Sequence, residues 1–204
     1  MAALAVMVTV FWKNSVEDAR QTKCLTQLRM IGTAAMTFAA ENDMRLPGTV
    51  HDRRSGVASW TKSLPGYSDD TLEFRCPCDP DPQRPVSYVI NDFLTRNPSG
   101  ATDLNYSHLT RLATPASTLF FAEAADGFIG DHFHFAGYRG RRIPPSAVET
   151  QIAVRRHDGS ANYLFADGHA ENLSWEAVQA TLAVVPSSFI DPTQAQPTPT
   201  PTPK

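Results

Sequence analysis

IAVRRHDGSANYLFADGHAENL, residues Ile152 to Leu173, holds two Asp-Gly pairs, Asp158-Gly159 and Asp167-Gly168, each between segments rich in strand-forming residues. A two-residue type I′ turn needs positive φ at both central positions, and Asp-Gly supplies it, so each pair signals a hairpin. The expected product is a three-strand meander: Ile152 to His157, Ser160 to Ala166 and His169 to Leu173. Two-residue loops put Val154 opposite Tyr163 and Tyr163 opposite Asn172, while Arg155 faces Asn162 and Asn162 faces Leu173. Alternation of side chains then gives a core face of Ile152, Val154, Tyr163, Phe165 and Ala170, with Arg156 and Asn172 at its margins. The other face carries Arg155, His157, Asn162, Leu164, His169 and Glu171. A longer loop at either turn would flip one strand and undo this sorting.

His157, Asp167 and His169 invite a reading as a catalytic or metal-binding trio. The register argues against it, because His157 and Asp167 fall at opposite ends of the central strand, about 20 Å apart at the usual rise per residue. A base and the group that orients it need contact at roughly 3 Å. Asp167 and Gly168 are then turn residues, and His157 packs or hydrogen-bonds beside the first turn. The chain holds no G-x-S-x-G elbow, phosphate loop, H-E-x-x-H or dinucleotide fingerprint, so none of these enzyme templates fits.

Upstream, Ala2 to Trp12 is apolar without interruption and Lys13 follows at once. Eleven such residues are too few to span a bilayer, which needs roughly 20. From Ser15 to Asn42 there is no proline and one glycine, Gly32, while Leu25, Leu28, Ile31, Ala35 and Phe38 recur at steps of three and four. That is one helical face. The two stretches join without a breaker, so one helix is expected from near Ala2 to near Asn42, roughly 60 Å long at 1.5 Å per residue. A helix longer than its domain projects, and its apolar front end needs lipid or other copies of the chain against it. Asn42, Asp43 and Pro47 are suitable exit residues. The 204 residues divide into this helix (1–43, with an apolar anchor or assembly segment at 1–12), a globular α+β domain (44–185) and a Pro/Thr-rich tail (186–204). Ser174 is the expected N-cap of a short helix to Val185, with Trp175, Val178 and Leu182 on one side. A net charge of −3 gives no reason to expect nucleic acid, whose binders usually show a basic patch or stripe.

His157, nine intervening residues and then Asp167-Gly168 resembles the H-X9-DG signature of a family of prepilin-like proteins related to the pseudopilins of type II secretion, and LFADGH (Leu164 to His169) is its specific part. CLTQLRMIGTAAMTFAAENDMRLP (Cys24 to Pro47) is similar to that family's helix. FRCPCDPDPQRP (Phe74 to Pro85) followed by SYVIN, and STLFFAE (Ser117 to Glu123) as a strand closed by an acid, have comparable counterparts. The resemblance implies a pilin-like fold, a long N-terminal helix packed on a small antiparallel sheet. It implies a structural subunit of a type II secretion-like or type IV pilus-like filament, without catalysis. Partners would be other copies or other pseudopilins through the helix, and the membrane through the apolar end. The place would be the cell envelope, with the subunit anchored in the inner membrane or assembled and its domain extracytoplasmic. Prepilins carry a leader and a processing site before the apolar helix. This chain starts beyond both, so Ala2 to Trp12 is expected to be the tail end of such a segment. A membrane-tethered ligand-binding module is the alternative, with Trp60, Phe133 and Tyr138 as candidate exposed aromatics, and a metal-dependent hydrolase is a third reading.

Cys76 and Cys78, with Asp79 and Asp81, lack zinc-finger spacing; in an exported protein a disulfide from Cys24 to Cys76 or to Cys78 is expected instead. Pseudopilins hold calcium in loops near the sheet, and Asp79, Asp81, Asp126 and Asp131 offer oxygen ligands in two loops, so calcium is a candidate cofactor. His132 and His134 point the same way if their segment is extended and, with Asp131, resemble a ligand cluster. The expectation is nevertheless a variable surface loop and no tightly bound transition metal.

Overall fold

Helix α1, Ala2–Glu41, has 40 residues. The computed structural model describes the backbone of residues 2–55, 58–69, 71–96 and 105–194, and side chains within these ranges except 2–14 and 53–55. Of the expected stripe, Leu28, Ile31 and Ala35 are fully buried, with Cys24, Ala34 and Ala39 beside them, and Leu25 and Phe38 lie at the half-buried margin. From Ser15 to Lys23 every side chain is exposed or half-exposed. Among the described side chains the first buried one is thus Cys24, although the backbone is helical from Ala2. The side chains of the apolar segment at 1–12 lie outside the described residues. At the other end the Asn42 amide donates to Phe38 O at 2.8 Å, and Asp43 and Met44 take φ of 55° and 59°, which turns the chain out. No helix among the described residues is long and apolar enough to cross a membrane.

Five strands follow: β1 (Tyr88–Asn91), β2 (Leu119–Glu123), β3 (His132–Phe133), β4 (Ser160–Phe165) and β5 (Ala170–Ser174), in the spatial order β3-β1-β2-β4-β5. Three pairings are antiparallel and β1–β3 is parallel. The sheet is thus mixed, a correction to the antiparallel expectation; the chain leaving β2 loops past β1 and lies beside it in the same direction. Helices α2 (Trp60–Ser63), α3 (Pro145–Glu149) and α4 (Trp175–Ala183) complete the regular elements. Both faces of the sheet are covered. On one, α1 packs against Tyr88, Ile90, Phe121, Leu164 and Ala170. On the other, Val89, Ala122, Ala161, Tyr163 and Phe165 meet Trp175, Val178 and Leu182 of α4, which Ser174 caps as expected.

The decisive stretch folds as a hairpin, with two departures from the expected meander. Ile152 to His157 makes no strand: it contributes single bridges, Ala124 to Ile152 and His157 to Ser160, because β2 takes the edge of β4 that this segment was expected to occupy. Its turn is as predicted, with Asp158 at φ 49°, Gly159 at φ 83°, and His157 and Ser160 exchanging both backbone hydrogen bonds. The second turn is one residue longer. Ala166, Asp167 and Gly168 span it, Phe165 N donates to His169 O at 2.9 Å, and Gly168 takes φ 94°. A three-residue loop closed by a left-handed glycine is the next commonest hairpin after the two-residue one. The register slips by one, so Tyr163 pairs with Glu171 and Asn162 with Asn172. Ala170 consequently moves to the face of Leu164, under α1. Tyr163 and Phe165 do share a core face, but it is the one turned away from α1, and Leu164 on the opposite face is equally buried. Two-sided coverage removes the polar face that strict alternation presupposes.

Close approach of α1 to this hairpin explains the helix's one glycine. A Cβ at Gly32 would stand 2.6 Å from Leu164 Cδ1, and one at Gly168 would stand 3.1 Å from Met36 Cγ. Cys24 and Cys76 form the disulfide, one of the two expected pairings, and clamp α1 to the segment before β1 across a separation of 52 residues. The globular part also runs further than the expected boundary at 186. Phe189 and Ile190 are buried in the second core, Leu119 N donates to Phe189 O at 2.6 Å and the Asn91 amide to Ile190 O at 2.8 Å. Residues 195–204 of the expected tail lie outside the described residues.

Candidate functional site

Two buried carboxylates, each paired with a histidine, stand out. Glu123 ends β2 and is wholly buried. Its Oε1 lies 2.8 Å from His157 Nε2, and its Oε2 accepts the backbone N–H of Asn162 at 3.1 Å. Asn162 Nδ2 stands 3.0 Å from the same His157 nitrogen, and Asn162 Oδ1 accepts from Asn172 Nδ2 at 3.0 Å. The β2–β4 pairing and the slipped β4–β5 register place these groups together. The ligand atoms of Cys24, Cys76, Glu123 and His157 all lie within 4.8 Å of one another. As a disulfide, however, the two sulfurs are not thiolates, and the thiolate is the form that binds metal. His157 thus ties the first turn to β2 by hydrogen bonds.

The second pair is His132–Asp131. Because β3 runs parallel to β1, Ile90 N donates to Asp131 O at 3.1 Å, and the Trp60 indole donates to the same oxygen at 2.7 Å. Asp131 Oδ2 accepts from the Ser59 hydroxyl at 2.5 Å and from Val50 N at 3.0 Å, while Oδ1 is 2.6 Å from His132 Nδ1. Burial alone would raise the Asp131 carboxyl, but the hydrogen bonds from His132 and Ser59 outweigh it and hold it below the usual carboxylate range. Alternation along the extended segment sends Phe133 into the second core and turns His132 and His134 to one side. Their rings stand 4.7 Å apart, and His51, from the 3-10 turn Val50–Ser55, brings its ring to 4.5 Å from His132 and 6.0 Å from His134. One ring nitrogen from each of the three lies within 4.8 Å of the others. His134 Nδ1 is 3.7 Å from Asp92 Oδ2. The Gln151 side chain pairs with both backbone groups of His134, at 2.8 and 3.0 Å, and so holds the end of β3 in place. His132 is 5% exposed, which corrects the expectation of a surface loop.

The remaining expected site residues are dispersed. Asp167 and His169 form an exposed pair at 2.6 Å, with His169 stacked on Phe165, at the far end of β4 from His157. The trio His157, Asp167 and His169 is therefore not assembled. Of the candidate calcium ligands, Asp79 is buried between Arg84 (3.3 Å) and Arg156 (3.6 Å), Asp126 pairs with Arg156 at 2.6 Å, and Asp81 accepts from Gln83 N within its own turn. Arg156 so occupies the space between Asp79 and Asp126 where a cation would sit, and Asp131 belongs to the histidine cluster. Cys78 keeps its thiol, which burial, with the charges of Glu17 and Glu123 adding to it, pushes up to about 11. It is protonated at neutral pH and so a poor attacker of the neighbouring disulfide. Trp60 and Phe133 are fully buried, a correction to their candidacy as exposed aromatics.

His51 and Glu123 are the members of these two clusters that sequence reasoning passed over. Glu123 could be noted only as an acid closing a strand, and His51 only as one polar residue in a loop, since nothing local to either announces a partner 34 or 81 residues away. Compared with protein-family models, with curated proteins and with solved structures, the chain finds no match.

Proposed function

We propose that this protein is a pilin-like structural subunit, which assembles through α1 with copies of itself or with related subunits in a secretion- or pilus-type filament of the cell envelope and performs no catalysis. The observation that carries the reading is the mismatch between α1 and its domain. Among the described residues the 40-residue helix has no buried side chain before Cys24, its stretch from Ser15 to Lys23 is exposed or half-exposed, and in the sequence an apolar segment precedes that. The disulfide at Cys24 fastens the helix where it leaves the domain, as a projecting lever requires. The H-X9-DG resemblance points the same way, and the separation of His157 from Asp167 and His169 suits a structural role for that motif. The domain would stand outside the cytoplasm, where a disulfide persists. A second reading, a membrane-tethered binding module, draws on the histidine cluster beside β3.

The test is deletion of Met1 to Trp12. The shortened chain is expected to be a soluble monomer whose circular dichroism loses only the helical signal of the deleted residues, because the described core begins at Cys24, and the full chain to self-associate or to partition into detergent. Sedimentation of the full chain as a single monomeric species without detergent would remove both the filament and the membrane anchor.

A further inference from the structure

The histidine cluster carries an inference separate from the filament reading. His132 Nδ1 is committed to Asp131, which is itself fixed by Ser59, Val50, Trp60 and Ile90. That bond leaves Nε2 as the far end of a side chain only 6% exposed, and among the described residues Nε2 has no hydrogen-bond partner. An orphaned ring nitrogen in a buried imidazole is costly unless something meets it. His51 and His134 stand against the same ring. A carboxylate on the far nitrogen of a histidine is also the arrangement that orients a metal ligand and raises its basicity. Here Asp131 serves His132, and Asp92 lies 3.7 Å from His134.

We propose that His51, His132 and His134 bind one divalent transition-metal ion of the zinc class through three imidazole nitrogens, with a fourth position open to solvent. Nitrogen donors without a carboxylate among them select such ions over calcium or magnesium. In a tetrahedral site with Zn–N of about 2.05 Å the ligand atoms stand roughly 3.3 Å apart. The three nitrogens lie within 4.8 Å, so modest rotations of His51 and His134, both exposed, close the site onto the fixed His132. Three histidines leave tetrahedral zinc one vacant position. It falls on the side where His51 and His134 reach solvent, and a water or a small anionic ligand fits it.

The experiment uses the full chain, in detergent and stripped with chelator, titrated with zinc chloride by calorimetry and with cobalt(II) by visible absorption. One ion per chain is expected, with the intense visible bands of four-coordinate cobalt. His51→Ala and His134→Ala, whose side chains are exposed, should fold normally by circular dichroism and bind zinc at least a hundredfold more weakly. Asp131→Asn should weaken binding by roughly ten- to a hundredfold through His132, and His169→Ala should leave it unchanged. Absence of saturable one-to-one binding in the unmodified chain overturns the proposal, and so does equal affinity in His51→Ala and His134→Ala.

Discussion

The pairs His157–Glu123 and His132–Asp131 each set an imidazole against a buried carboxylate, at 2.8 and 2.6 Å, and each leave one ring nitrogen without a hydrogen-bond partner among the described residues. Their surroundings separate them. His157 is enclosed by Asn162, the Cys24–Cys76 disulfide and the backbone of β4, with Glu123 fully buried behind it. His132 is buried equally well from behind, but in front of it stand two exposed histidines. A histidine–carboxylate pair is thus no signature of function by itself. What decides is whether the second nitrogen faces packed protein or further donors that move.

This contrast can be broken by mutation. Glu123→Ala leaves His157 and the Asn162 N–H buried without their acceptor, and removing one member of a buried pair typically costs about 3–5 kcal/mol. Urea unfolding is the measurement, and a loss under about 1 kcal/mol would mean that the pair is not the lock described. Reducing the Cys24–Cys76 bridge, which closes a 52-residue separation beside that lock, should cost roughly 2–4 kcal/mol. A mild reductant should then lower the melting temperature of the wild-type chain but not of a Cys24→Ala, Cys76→Ala double variant. Asp131→Ala should cost less, about 1–3 kcal/mol, the range for leaving buried donors unsatisfied, because water reaches the cluster past His51 and His134. If this variant proves more damaging than Glu123→Ala, the distinction between the closed and the open pair fails. His169→Ala, at an exposed pair of the same geometry, should change stability by no more than about 0.5 kcal/mol. A larger loss there would show that the second turn is held by its histidine and not by its glycine.

What the sequence determined by itself is local. The apolar period of three and four specified α1 and its buried stripe, because a helix's faces follow from spacing alone. Asp158-Gly159 specified a two-residue turn, and Ser174 specified the start of α4, since both depend on residues within one turn of each other. The second hairpin shows the limit of this legibility. Asp167-Gly168 announced a turn correctly, but whether Ala166 joined it depended on β2 taking one edge of β4 and on Gly168 fitting against Met36 of α1, and that one residue reset the whole face pattern of β5. Of the two histidine sites the sequence offered only His132, His134 and Asp131 as neighbours resembling a ligand cluster; their distant partners lay beyond it. Glu123 meets His157 because β2 pairs with β4, and His51 meets His132 because β3 lies parallel to β1 and the chain from Val50 is tied to Asp131. Sheet order and parallel pairing are set by the sum of core contacts on two faces, a quantity no single segment contains, and so only the tertiary structure decided where the chemistry of this chain comes together.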